Sequence, residues 1–169
     1  MTIRSVTISD ALGIAEVQVA GWKAAYRGLM PDSVLDDLSV PQREAIWQRI
    51  VVEQKFQLLV ADEDSRIAGF VNFGPCRDTD SVAGFTGEIL AIYVDPNRWH
   101  EGIGQQLLDA ALSSLKSAGF REATLWVLDS NLRTRVFYER AGFSFDGTAR
   151  KEVVGGNAEI REVRYRRPL

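Results

Sequence analysis

Cysteine and histidine are almost missing from this chain of 169 residues, which has Cys76, His100 and no other of either kind. One cysteine leaves no disulfide framework within the chain, and the pair cannot assemble a Cys/His zinc site, so no metal is expected. A Ser-His-Asp hydrolase would have to use His100, which lies in a glycine-bearing turn unsuited to that role. No apolar stretch approaches the roughly 18 residues that a membrane span needs, and no signal peptide is visible. The expectation is a cytoplasmic protein with no membrane partner. Basic charge is not in excess either. Twenty Lys and Arg stand against 23 Asp and Glu, giving a net charge of −3 and a pI near 5.3. That balance argues against a chain built to wrap nucleic acid and leans towards a basic, amine-bearing partner. Repeats, low-complexity tracts and linker-like shifts are absent. With 46% apolar and 25% charged residues, the length suits one well-buried core, a single domain over 1–169.

What is present is organised around Glu88 to Leu115, EILAIYVDPNRWHEGIGQQLLDAALSSL. Glu88 to Val94 is nearly all apolar, short for a helix and right for a strand covered on both faces. Asp95-Pro96-Asn97 breaks it, since proline lacks the ladder donor. Gly102-Ile103-Gly104 follows and leads into a helical pattern. Leu107, Ala111, Leu115 and Ala118 form one apolar row, Leu108 and Leu112 a second, and Gly119 closes the run. Strand, glycine turn and helix suit a phosphate, because the first helical N–H groups lack partners and the dipole favours negative charge there. A plain strand-to-helix connection is the competing reading of the glycines alone. No Lys-Ser/Thr follows them and no third glycine completes GxGxxG, so two familiar nucleotide loops are excluded.

The next stretch, REATLWVLDSNLRTRVFYERAGF from Arg121 to Phe143, adds a strand over Ala123–Leu128, a turn, and a short helix over Asn131–Ala141 that ends at Gly142. Together these residues resemble the GCN5-related N-acetyltransferase (GNAT) superfamily. Its acyl-CoA motif has a strand, a Q/R-x-x-G-x-G/A loop, a long helix and a second strand followed by N-x-x-A/S-x-x-x-Y-x-x-x-G-F. Asn131, Thr134, Tyr138, Gly142 and Phe143 fall on that tail, with Thr134 in place of the small residue. The loop departs further. Trp99 stands at the Q/R position and His100 follows where glycine is common. The resemblance is strong from Glu88 to Phe143 and looser towards the N-terminus.

The resemblance implies an acetyl-CoA-dependent N-acetyltransferase, acting on a primary amine of a small molecule or peptide by direct attack in a ternary complex. It implies that main-chain groups from Trp99, His100, Glu101, Gly102, Ile103, Gly104 and Gln105 hold the pyrophosphate. Ile92, Tyr93 and Val94 would offer backbone groups to the pantetheine arm, and Asn131 a side-chain amide. Tyr138 would protonate the departing thiolate, and Glu88, at the strand start, would act as base. Strand-end pairing is the competing role for Glu88, inner-face packing for Tyr138 and helix capping for Asn131. Arg98, Arg133 and Arg135 are candidates for the outer phosphates. Cys76 receives no role. A non-catalytic acyl-CoA sensor and a ribosomal-protein or aminoacyl-tRNA acetyltransferase stay open as alternatives. The oligomeric state is open too, a homodimer among the options.

The remaining elements are read from periodicity. Residues 3–8 form a first strand, and Ser9 or Asp10 caps a helix whose stripe is Leu12, Ala15, Val19, Trp22 and Tyr26. Core packing accounts for the first three; Trp22 and Tyr26, at the helix end, are placed at the acceptor site. Pro41–Glu53 is a helix with Ile46, Ile50 and Val51 inward and the side taken by Trp47 open. Phe56–Ala61 and Arg66–Phe73 are strands joined by a polar turn. Arg77–Gly87 is a loop whose Asp78 and Asp80 are candidates for a cationic acceptor. Ser144–Ala149 and Ile160–Tyr165 are strands, with a hairpin turn at Gly155-Gly156-Asn157. The predicted class is α/β, with a central mixed, mostly antiparallel sheet and helices on both faces.

Overall fold

The computed structural model describes residues 1–156 and 158–169; Asn157, part of the expected hairpin turn, lies outside the described residues. Seven strands form one sheet: β1 (Thr2–Ser5), β2 (Gln57–Glu63), β3 (Arg66–Pro75), β4 (Thr86–Val94), β5 (Glu122–Leu128), β6 (Ser144–Val154) and β7 (Ala158–Pro168). Their order is β1-β2-β3-β4-β5-β7-β6. Only the central β4/β5 pair is parallel, and the other pairings are antiparallel. The expected α/β architecture is therefore the observed one. A parallel pair needs a crossover, here α4 (Ile103–Ser117).

The helices divide between the two faces. α4 and α5 (Leu132–Arg140) cover one face. There Leu107, Leu108, Ala111, Leu112 and Leu115 pack with Phe73, Ile89, Leu125 and Tyr165. Both predicted rows of α4 are buried, and only Ala118, past the helix end, is exposed. α1 (Ala11–Tyr26) and α3 (Val40–Glu53) cover the other face, closing on Val60, Ile67 and Phe70. Gly13 and Gly21 let α1 lie close to the sheet; a Cβ on Gly13 would sit 2.8 Å from Ile67. A third cluster under α2 (Asp32–Asp36) joins Met30, Val34 and Leu35 to Leu128 and Ala158.

Several expectations shift. Of the N-terminal stripe, Ala15 and Val19 are buried and Trp22 and Tyr26 half-buried, but Leu12 is 46% exposed, and Ala11, Ile14 and Val17 are buried in addition. Asp10 is the N-cap of α1 as expected, but its carboxylate faces back to Thr7, whose N–H and hydroxyl both donate to Asp10 Oδ2 across a short 3-10 turn. On α3 the buried residue is Trp47, whose indole donates to Gln18 Oε1 at 2.8 Å, and Ile46 and Ile50 are only half-buried. β6 runs unbroken from Ser144 to Val154, absorbing Gly147 at φ +90 by a register shift between Phe145 and Ala149.

Candidate active site

The parallel strands that centre the sheet stay together only briefly. β4 and β5 pair from Thr86/Glu122 to Ile89/Leu125 and then part. On the other side of β4, Asn72 pairs with Ala91 and Phe73 with Ile89, which leaves Leu90 as a bulge. A bulge bends a strand and increases its twist, here just where β4 leaves β5. The gap is a cleft of about 1280 Å³, floored by Leu90 to Val94 and running from the α4 start to the β6–β7 hairpin. Past Ile89, no described strand pairs with the β5-facing edge of β4. Its backbone groups can take an extended, amide-bearing ligand as an added strand. Ile92, Tyr93 and Val94 thus lie where the sequence put them. The Val94 carbonyl, however, already accepts the Trp99 indole N–H at 3.1 Å.

At one end of the cleft, α4 begins uncapped. Gly102 is its N-cap at φ +80 with no side-chain cap, and the first helical acceptor is the Gly102 carbonyl, bonded by Gln106 N–H. The amides of Ile103, Gly104 and Gln105 therefore precede the helical ladder and suit an anion. A Cβ on Gly102 would meet nothing within 4 Å, and the Trp99 indole is tied to the Val94 carbonyl. His100 takes φ +70, a left-handed geometry that costs a non-glycine residue about 1–2 kcal/mol. That cost is the price of histidine where glycine is usual.

Of the three arginine candidates one is free. Arg133 stacks over Trp99, 3.8 Å from the ring centre, and lines the cleft with no carboxylate partner among the described residues. Arg98 is held by Glu63 and Glu101, at 2.6 and 2.7 Å, so the Glu101 side chain is engaged there and does not line the cleft. Arg135 is tied to Asp129 and Tyr165 and is likewise off the cleft.

Midway along, Tyr138 of α5 is 6% exposed, packed against Phe137 and Phe143. It lines the cleft, and its hydroxyl makes no hydrogen bond among the described residues. Burial, and then the neighbouring Tyr26, push its pKa above the ordinary phenol value, so it is a proton donor at neutral pH. Asn131 caps α5, its Oδ1 accepting Thr134 N–H at 3.2 Å; it lines the cleft with Nδ2 uncommitted within the described chain. Capping and ligand contact can thus coexist in different atoms. Trp22 and Tyr26 stand on the opposite wall. Tyr26 Oη is 3.4 Å from Tyr93 Oη, and the buried Trp22 Nε1 has no hydrogen-bond partner among the described residues. Tyr93 therefore contributes a phenol as well as backbone, which sequence reasoning missed; strand alternation could have signalled which face it takes.

Glu88 is 1% exposed, absent from the cleft lining, and gripped by Arg77 through Nη2–Oε1 at 2.6 Å and Nε–Oε2 at 3.0 Å. The Arg77 N–H adds a third bond to Oε2. A carboxylate so paired and outside the cleft lining fits the competing strand-end role, anchoring the β3–β4 loop. Asp78 and Asp80 are also engaged. Both bind the buried Arg164, and Asp78 accepts the Trp126 indole N–H. Cys76 lies beside Thr124, away from the cleft.

Residues the sequence did not single out complete the far end. Trp126, Arg150, Glu152 and Glu162 line it, with Arg150 stacked 4.1 Å over Trp126. Their meeting depends on the β6–β7 register, which pairs Arg150 with Glu162. Among the described residues no group of His, Cys, Asp and Glu is arranged to hold a metal, and no helix is long and apolar enough to cross a membrane. The site can hold a long ligand with an anionic head at α4 and an apolar, amide-bearing arm along β4, its tip beside a phenol.

Comparison with known proteins agrees with that shape. The profile of the acetyltransferase (GNAT) family matches residues 22–143. An uncharacterized N-acetyltransferase of Bacillus subtilis, YuaI, is 29% identical over 98% of this chain and 89% of its own length. A spermidine N(1)-acetyltransferase of Thermoplasma acidophilum is 27% identical over 96% of each chain. The crystal structure of PaiA N-acetyltransferase from the same archaeon, in complex with coenzyme A, superposes with a TM-score of 0.73. That match has 27% identity and covers 95% of this chain and 96% of the other.

Proposed function

Because the chain belongs to the acetyltransferase (GNAT) family and is accordingly an acyltransferase, we propose that it transfers an acetyl group from acetyl-CoA to a primary amine of a small molecule or peptide. One observation carries the reading: the splayed β4 edge joins an uncapped helix start to the hydroxyl of the buried Tyr138, unpartnered among the described residues. The coenzyme A complex of the archaeal relative supports the same donor here.

The donor's pyrophosphate fits the amides of Ile103 to Gln105, and Arg133 adds charge for an outer phosphate. The pantetheine amides pair along β4 and with Asn131, and the thioester then lies towards Tyr138 and the aromatic wall of Trp22 and Tyr26. The amine nitrogen, neutral when it attacks, forms the C–N bond and the C–S bond breaks. Tyr138 gives its proton to the departing thiolate, the nitrogen loses one to water, and water returns a proton to the phenolate. No carboxylate need be the base, which agrees with Glu88 being engaged elsewhere. The raised Tyr138 pKa keeps the acid loaded across the working range. Thiol release from acetyl-CoA with a panel of amines tests the proposal. Release that depends on an amine supports it; coenzyme binding without release for any amine would leave the non-catalytic sensor.

A further inference from the structure

The acceptor end of the cleft carries a carboxylate oxygen with nothing to do. Arg150 Nε and Nη2 both lie on Glu162 Oε2, at 2.8 and 2.7 Å. Glu162 Oε1 has no hydrogen bond among the described residues, and the side chain lines the cleft at 20% exposure. Glu152 shares the same arginine from 3.4 Å. Glu162 lines the same cleft as Tyr26, whose hydroxyl lies 3.4 Å from that of Tyr93.

The two ends of the cleft also differ in sign. Arg133 and Arg140 line the donor end without a carboxylate partner among the described residues, whereas at the far end Glu152 and Glu162 share one arginine. A partly enclosed cleft focuses such a difference. The free oxygen does not suit the reacting nitrogen, because a carboxylate beside an ammonium holds its proton on and slows attack. It suits a second positive charge that stays protonated throughout.

We propose that Glu162 determines acceptor specificity, its Oε1 anchoring a second cationic group on an amine whose apolar chain packs against Trp22, Tyr26 and Met30. The acceptor class is then a diamine or a larger polycation. This rests on the acetyltransferase reading and narrows it.

Cadaverine, pentylamine and aminopentanoate share one chain and end in ammonium, methyl and carboxylate, so thiol-release kinetics with acetyl-CoA on these three isolate the second charge. Wild-type kcat/KM should favour cadaverine over pentylamine by roughly tenfold or more, with aminopentanoate the poorest. Glu162→Gln keeps an oxygen for Arg150 and should bring the cadaverine to pentylamine ratio close to one by raising KM for cadaverine. Glu162→Asp, which retains the charge, should keep a preference, and thermal melting confirms that both variants fold. An unchanged ratio in Glu162→Gln overturns the proposal. So does a wild-type enzyme that takes pentylamine as well as cadaverine, or that acetylates other amines and neither of these; each leaves the acetyltransferase reading standing. Thiol release with no amine at all overturns that reading itself.

Discussion

Arg77 holds Glu88 from two directions, by its guanidinium fork and by its own main-chain N–H. The pair sits where the β3–β4 loop leaves the sheet, so its work is to fix the loop over the cleft. Glu88→Gln should therefore cost stability more than chemistry. We expect about 1–2 kcal/mol less resistance to denaturant, since one charge-assisted fork is weakened at a buried position. Turnover at saturating substrates should stay within about threefold. A hundredfold loss of kcat with unchanged stability would restore Glu88 as the base.

Tyr138 carries the opposite expectation. Tyr138→Phe removes one hydroxyl that bonds to nothing in the described chain and keeps the ring between Phe137 and Phe143. Stability and acetyl-CoA affinity should hold, while kcat falls by roughly 10²-fold, the scale of a lost general acid. Because the phenol's pKa is raised, the wild-type kcat profile should show no descending limb from this group below its ordinary value near 10. Stopped-flow or steady-state rates across pH read both points, and an unaltered kcat in the variant would remove the acid role.

Acid should loosen the N-terminal edge first. Arg4 hydrogen-bonds Asp10, at 2.7 and 2.9 Å, and holds its carboxyl at about 2, below the ordinary value of 3.8. A depressed pKa contributes stability that is present above the unfolded value and lost as pH falls towards the folded one. The loss should therefore fall between about pH 4 and pH 2, worth on the order of 1–2 kcal/mol with the arginine partly exposed. Denaturant titrations at pH 5 and pH 2.5 should converge for Asp10→Asn and wild type at the lower pH; a constant gap would reject the linkage.

Much of the frame could be read from residue order, for reasons that also show where reading stopped. The rows Leu107/Ala111/Leu115 and Leu108/Leu112 have one period and one face, so α4 was visible. The spacing from Asn131 to Tyr138 held because it spans one short helix, local in the chain. On α1 the stripe placed Ala15 and Val19 rightly and Leu12 wrongly, because hydropathy gave Leu12 more weight than the small Ala11 that the packing buries. Arg150 and Glu162 are cross-strand partners, and Arg77 reaches Glu88 from the loop that follows β3; each depends on where a turn sets the chain, which composition does not reveal. The five-residue helix Asp32–Asp36 is too short for periodicity to show. Charged groups thus proved the least legible part of the site, since a carboxylate looks the same in a sequence whether it is free or gripped.

The central claim is that bare amides at the start of α4 hold the donor's phosphates, and calorimetry with coenzyme A tests it most directly. Gln105 makes one side-chain bond, to Asp109 at 2.8 Å, and its contribution to the ligand should be through its N–H. Wild type should bind one coenzyme A per chain, and Gln105→Ala should bind within about threefold of it. Gln105→Glu, which puts negative charge where the helix start favours it, should fold normally yet bind at least roughly tenfold more weakly, the deficit shrinking with added salt. No heat from wild type, or equal affinity in Gln105→Glu, would contradict the claim.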